Sequence, residues 1–339
     1  MHVFIYEWIT GGGLVEQAGR LPESLLAEGA AMTAAVAEDF LALDDCRVTR
    51  LADPRVSHQR LAGETIVEVH GEQERRAEFA AAAAAADYTL LIAPEFDHIL
   101  ARAFRAAREV SATILGGSAD LIRVASCKQS TSERLLAAGV PTPEAVLLEA
   151  DAERLPRDFA YPGVLKPLDG AGSQHTYLVE GPLDEPPPYP WPRRLERYVP
   201  GRAASVAAIC GPGGYAMLPP CWQRQSVDGR FTYLGGATID ERPLAERARQ
   251  LAGQALAALP PATGFVGVDL VLGNAPAGDA VIEVNPRLTT SYVGLREVVA
   301  ENLAAAMIAA RHGDVPECLA VRDGVEFTLA GVVASAAKP

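Results

Sequence analysis

The stretch Val266-Gly267-Val268-Asp269-Leu270-Val271, followed after a turn rich in Gly, Asn and Pro by Val281-Ile282-Glu283-Val284-Asn285-Pro286-Arg287, carries the most chemistry per residue in this chain. Both segments read as strands, and their short connection makes them a hairpin. Side chains alternate across a strand, so Glu283 and Asn285 share one face and Asp269 on the neighbouring strand can face them. Two carboxylates and an amide oxygen on one face form the hard oxygen set that magnesium prefers. A satisfied polar cluster at a strand end is the plainer alternative.

Upstream, Gly163-Val164-Leu165-Lys166-Pro167 reads as a strand that delivers a lysine into Leu168-Asp169-Gly170-Ala171-Gly172-Ser173. Backbone N–H groups of such a loop can cradle phosphate oxygens, with Lys166 as a point charge. The order is not that of a P-loop: the lysine precedes the glycines, and His175–Val179 reads as strand. A glycine-rich hairpin with an incidental lysine is the alternative. Lys128, in Ser126-Cys127-Lys128-Gln129-Ser130-Thr131, starts an amphipathic helix that ends at Gly139, with Pro141 and Pro143 beyond it. A lysine at a helix start is by itself only a solvated charge.

The first 120 or so residues alternate strand and helix patterns, which indicates an open α/β sheet. Strands are expected at Val3–Tyr6, Val48–Leu51, Thr65–Val69, Tyr88–Ala93 and Thr113–Leu115, and helices around Pro22–Leu43, in the alanine-rich stretch, and at Ile99–Val110. From about Ile122 the texture changes to strands and turns, with a proline-rich connection from Pro182 to Pro192. A helix at Pro243–Leu259, the hairpin, a helix at Glu297–Arg311 and a strand-like tail at Val325–Val333 follow. The expected divisions are residues 1–120, 121–195 and 196–339.

At 339 residues, 49% hydrophobic and 22% charged, the chain has the composition of a globular enzyme of two or three subdomains. A formal net charge of −13 opposes a nucleic-acid-coating role. Five scattered cysteines (Cys46, Cys127, Cys210, Cys221, Cys318), none in a CxxC pair, read as reduced thiols in a cytoplasmic protein. Neither a signal peptide nor a membrane-length apolar run is read, so no membrane partner is expected.

Taken in order, Lys128, Lys166 with its glycine loop, and the Asp269/Glu283-Val284-Asn285-Pro286-Arg287 hairpin resemble the ATP-grasp superfamily. The resemblance implies an ATP-grasp fold of α+β subdomains behind an N-terminal Rossmann-like, pre-ATP-grasp α/β domain. Residues 121–195 would be the central lid subdomain, and 196–339 the C-terminal one. It implies that Lys128 and Lys166 contact ATP phosphates while Gly170, Gly172 and Ser173 close over them. Asp269, Glu283 and Asn285 would hold two magnesium ions, with manganese able to substitute. Lys166 and Arg287 would be catalytic, Arg287 stabilising the transferring phosphoryl group. Leu195-Glu196-Arg197-Tyr198-Val199-Pro200-Gly201 looks like the hinge meeting the adenine edge, through Glu196, Tyr198 and Val199. One departure is Ala203, where many members carry an acidic residue for the ribose hydroxyls.

The implied reaction is ADP-forming: a carboxylate becomes an acyl phosphate, which an amine displaces to give an amide. Glu7-Trp8-Ile9-Thr10-Gly11-Gly12-Gly13 after the first strand, Ala93–Leu100, Trp222-Gln223-Arg224-Gln225 and Phe231–Gly236 look like the subfamily containing the tyramine–glutamate ligases of methanofuran biosynthesis. That likeness implies activation of the γ-carboxylate of L-glutamate and attack by tyramine or a related aromatic amine such as tyrosine. Glu7 would receive an amine, and Arg224 or Arg287 a substrate carboxylate. Small molecules are the implied partners, and a homodimer is common among members. Another amino-acid or dipeptide ligase of the superfamily is the alternative, and a non-catalytic ATP-binding sensor a further one.

Overall fold

The computed structural model describes residues 1–335 apart from positions 59, 151, 153, 318, 323, 329 and 330, so the expectation for Cys318 lies outside the described residues. The chain opens with β1 (His2–Glu7), α1 (Glu23–Leu41), β2 (Arg47–Ala52), β3 (Glu64–Glu68), α2 (Glu72–Ala85), β4 (Tyr88–Ile92) and α3 (Ile99–Glu109). The four strands are parallel in the order β3-β2-β1-β4, as the strand–helix alternation predicts. Every residue of β1 is buried, as a parallel strand covered by helices on both faces requires. Of the expected strand at Thr113–Leu115, a single parallel bridge from Ile114 to Thr89 forms. Strand order reverses between β1 and β4, so their carboxyl ends flank the crevice where open α/β sheets bind ligands.

Two helices, α4 (Ala119–Ala125) and α5 (Lys128–Ala137), lead out of this layer, and Gly139 takes the positive φ of +74° that ends α5. The next layer is a small antiparallel sheet of β5 (Ala145–Leu148), β6 (Gly163–Pro167), β7 (Tyr177–Val179) and β8 (Arg193–Arg197), ordered β5-β8-β6-β7. Among the described residues its core is Leu148, Leu155, Leu165, Val179 and Leu195 with a few half-buried neighbours. Strand β8 straddles position 195 and pairs with both β5 and β6, so the strand that enters the hinge belongs to this sheet.

The largest sheet follows: β9 (Arg202–Gly211), β10 (Gly214–Met217), β11 (Cys221–Gln225), β12 (Tyr233–Thr238), then α6 (Arg242–Ala258), β13 (Gly264–Leu272), β14 (Ala280–Asn285), α7 (Tyr292–Val298), α8 (Leu303–Arg311), β15 (Val325–Thr328) and β16 (Gly331–Ser335). Its order is β14-β13-β9-β11-β12-β15-β16, with β10 paired to β9. Val266, Val268 and Leu270 of β13 pack into the core shared with α6, whereas Phe265 packs with Tyr292 and Met307 in the other.

One expected helix is two. The segment Glu297–Arg311 breaks between α7 and α8 because Val299 bridges to Val321 and the Asn302 side chain caps α8, accepting from the Ala305 N–H at 3.0 Å. The N-terminal layer is tied to α7 by Asp39 on α1, which accepts from the Tyr292 hydroxyl at 2.6 Å and from Arg296 at 2.7 and 2.9 Å. The tail forms the β15–β16 hairpin, with positions 329 and 330 outside the described residues. Among the described residues no helix is long and apolar enough to cross a membrane.

Candidate active site

One cavity of about 230 Å³ lies among the three layers. Its walls include Lys128, Lys166, Gly170, Gly172, Ser173, Glu196, Tyr198, Val199, Asp269, Glu283, Asn285 and Arg287, drawn from the helix start, the small sheet and the large one. The structure therefore brings together every residue singled out from the sequence except Glu7 and Arg224.

The acidic wall is set by register. Asp269 of β13 sits directly opposite Glu283 of β14, and Asn285 follows on the same face. The Asn285 amide donates to Asp269 Oδ2 at 3.0 Å, and Gln223 Nε2 donates to Oδ1 at 2.8 Å. Burial, and then the charge of Glu283, push the Asp269 carboxyl up to about 7. Lys128 Nζ reaches Glu283 Oε1 at 3.2 Å, leaving the two carboxylates short of positive charge. Among the described residues no three His, Cys, Asp or Glu side chains gather into a metal-holding group; the donor set is two carboxylates and one amide. That set, short of positive charge, suits a hard divalent cation completed by phosphate and water oxygens.

The cationic wall is a buried relay. Lys166 Nζ, at the end of β6, lies 2.7 Å from Glu196 Oε2 on the adjacent β8. The other Glu196 oxygen takes Arg194 Nε at 2.7 Å, and Arg194 in turn holds Gln129, the Ser132 hydroxyl at 2.8 Å and the Pro143 carbonyl at 3.2 Å. Arg194 thus links the β8 carboxylate to α5, the helix that begins with Lys128. Among the described residues the Val199 N–H, just past β8, has no hydrogen-bond partner.

The glycine loop is folded over this chamber. Lys128 Nζ donates to the Gly170 carbonyl at 3.2 Å, Ser173 Oγ to the Phe231 carbonyl at 2.8 Å, and the Asp97 N–H to Asp169 Oδ2 at 3.1 Å. Gly172 adopts φ +65° beside Leu25 and Glu28 of α1. With the loop down, the chamber is smaller than the roughly 300 Å³ at which ligand clefts begin.

Two substrate candidates stand elsewhere. Glu7, at the carboxyl end of β1, is buried with its oxygens taken by the N–H groups of Ile9 at 3.1 Å and Thr10 at 2.7 Å. It closes its own turn and is not among the cavity walls. Arg224 is half-exposed and ion-paired with Glu326, while its neighbours Gln223 and Gln225 line the cavity. Strand alternation in Trp222-Gln223-Arg224-Gln225 carries that signal: if the glutamines face in, Arg224 faces out. Arg287 lines the cavity but is gripped by Glu95 through two bonds of 2.8 and 3.0 Å. Glu95 emerges from the end of β4 and, like Glu28 and Arg194, was not picked out as a site residue.

Comparison with known proteins agrees with this architecture. A family model described as an ATP-grasp domain matches residues 125–291, and one described as a pre ATP-grasp 3 domain matches residues 46–122. The chain thus carries an ATP-grasp domain behind a pre-ATP-grasp domain and is in class an ATP-dependent ligase of the carboxylate–amine type. ATP with a divalent metal is the general requirement of that family. Its relatives include the tyramine–L-glutamate ligase of Methanocaldococcus fervens, 28% identical over 72% of this chain and 72% of that protein. The enzyme of the same name from Methanocaldococcus jannaschii is 27% identical over 62% of this chain and 58% of its own length. Among solved structures, an ATP-grasp superfamily protein from Archaeoglobus fulgidus superposes with a TM-score of 0.69 at 21% identity, covering 100% of this chain and 95% of that one.

Proposed function

We propose that the chain joins the γ-carboxylate of L-glutamate to tyramine or a related aromatic amine such as tyrosine, in the assembly of a methanofuran-type cofactor. The observation that carries the ligase chemistry is the convergence of Lys128, Lys166, Asp269, Glu283 and Asn285 on one cavity beneath the Gly170–Ser173 loop. The choice of substrates is supported by the two tyramine–L-glutamate ligases among the relatives.

In this reading Lys128 and Lys166 bind ATP phosphates, and the loop excludes water above them. Glu196, Tyr198 and the unpartnered Val199 amide meet the adenine edge. Asp269, Glu283 and Asn285 would hold two magnesium ions, Asn285 through its amide oxygen. Bound magnesium would offset charge on the phosphoryl oxygens. A carboxylate oxygen of the first substrate attacks the γ-phosphorus and ADP leaves. The amine nitrogen then attacks the acyl carbon, the bond to the phosphate oxygen breaks, phosphate departs, and the nitrogen loses its proton. Arg287, drawn from Glu95, stabilises the equatorial oxygens during transfer. The three divisions at 1–120, 121–195 and 196–339 would act as nucleotide-site roof, lid and floor.

The test is an ADP- and phosphate-release assay across amino acids and amines, with mass spectrometry of products. Turnover with glutamate plus tyramine or tyrosine is expected. Turnover only with another pair would move the chain among the other amino-acid ligases of the superfamily. ATP binding without product from any pair would leave a sensor.

A further inference from the structure

The cavity holds two carboxylates that no cation answers directly. Glu196 has Lys166 and Arg194, and Glu283 has Lys128. Asp269 is bonded only by amides, and its place opposite Glu283 assigns it to the metal set. Glu28 of α1 is the other. Its Oε2 accepts from the Thr290 hydroxyl at 3.1 Å, and among the described residues it forms no ion pair. Arg287, the nearest source of positive field, is committed to Glu95.

Glu28 is not a further metal ligand, because it does not cluster with Asp269 and Glu283. It is also not a helix-surface charge: it lines the cavity, where burial raises its carboxyl above the ordinary range. The loop tip comes down beside it, with a Cβ placed on Gly172 standing 3.7 Å from Glu28 Oε1. The next residue, Gly29, is held against Glu7, since a Cβ there would stand 2.6 Å from that carboxyl. The packing that closes Glu7 away therefore fixes the stretch of α1 that presents Glu28. Tyr233 also lines this part of the cavity, its phenol raised chiefly by burial, with the charge of Glu28 adding to it.

We propose that Glu28 is the residue that receives the α-ammonium group of the amino-acid substrate, which makes it a specificity-determining residue at the carboxylate-activating site. An ammonium brought between Glu28 and the Thr290 hydroxyl supplies the missing counter-charge and is covered by the loop tip. A dicarboxylate lacking that ammonium leaves Glu28 uncompensated, so the enzyme selects amino acids over their desamino analogues. The proposal rests on the ligase reading with an amino acid as the activated substrate.

The experiment compares wild-type protein with Glu28→Gln and Glu28→Asp, using glutamate and its desamino analogue glutarate, at saturating ATP and amine. Wild-type ADP formation with glutamate is the control for the ligase reading; its absence would sink that reading first, and the comparison would pass to whichever amino acid turns over. In Glu28→Gln the KM for glutamate is expected to rise about 10- to 100-fold, the value of one charge-assisted hydrogen bond. The KM values for ATP, amine and glutarate should stay within about twofold on the same reasoning, and Glu28→Asp should recover part of the loss. Equal losses for glutamate and glutarate would overturn the proposal. So would a rise confined to the amine, or loss of metal-dependent ATP binding with unchanged glutamate KM.

Discussion

Replacing Arg194 by methionine should weaken both the protein and its grip on ATP. Arg194 is 2% exposed and makes bonds to Glu196, Gln129, Ser132 and the Pro143 carbonyl. Breaking one side of a buried ion pair costs about 3–5 kcal/mol, because the remaining charge is left without its partner. Unfolding entropy of about 2.1 cal/mol/K per residue over 339 residues gives roughly 0.7 kcal/mol per kelvin if the chain unfolds as a unit. The melting temperature should therefore fall by about 4–7 °C. The electrostatic consequence is more specific. With Arg194 present, Glu196 is shared between two cations and Lys166 keeps much of its field for phosphate. Without it, the Lys166–Glu196 pair is neutral. The KM for ATP should rise by about tenfold, equivalent to about 1.4 kcal/mol. Arg194→Lys should restore charge but not the planar fork, recovering ATP affinity more than stability. Thermal melting and ATP titration of turnover read the two effects separately. A lowered melting temperature with unchanged ATP KM would refute the charge-sharing argument, and no change in either would refute the whole relay.

Glu283→Gln should abolish turnover, by about 10³-fold or more, while circular dichroism and melting stay native; near-normal activity would refute its place in the metal set. Asp269→Asn should also be inactive, yet in chelator-treated protein it should melt higher at pH 8, by up to about 6 °C. The sign follows from the raised carboxyl: ionised Asp269 opposes folding above about 7, and the penalty fades as pH falls toward the ordinary 3.8. The difference between the two proteins should therefore shrink as pH falls from about 7 to about 4 and be lost below that; a constant gap across pH would contradict it. Burial pushes the thiols of Cys210 and Cys221 up to about 12. Iodoacetamide at pH 8 should leave both unlabelled in native protein while modifying half-buried Cys127, and rapid labelling of either buried thiol in a mass-spectrometric time course would contradict that placement.

The acidic hairpin and the lysine strand were legible because local alternation dictates them. Once Val266, Val268 and Leu270 are read as inward, Asp269 can only face the other way, and a hairpin one residue out of step would have buried it. Glu95 and Glu28 were not legible for the opposite reason. Their partners Arg287 and Thr290 lie 192 and 262 positions away, and nothing near Glu28 in an alanine-rich helix distinguishes it from a solvated charge. Arg194 sits in a run, Arg193-Arg194-Leu195-Glu196-Arg197, that reads as a charged surface strand. Only the placement of α5 against β8 makes it a buried strut. The break at Val299–Asn302 likewise depends on a bridge to Val321 that helix periodicity cannot foresee.

Lys128 joins the glycine loop to the acidic wall. Its ammonium touches the Gly170 carbonyl and Glu283 at the same time, so one side chain pins the loop shut and occupies a carboxylate of the metal set. A phosphate that drew Lys128 to itself would unlatch the loop and free Glu283 in one movement. Cation and nucleotide would then be coupled ligands: each should bind more tightly in the presence of the other, by the same factor in both directions. Lys128→Met would uncouple them, raising the affinity for the free cation while lowering that for the nucleotide.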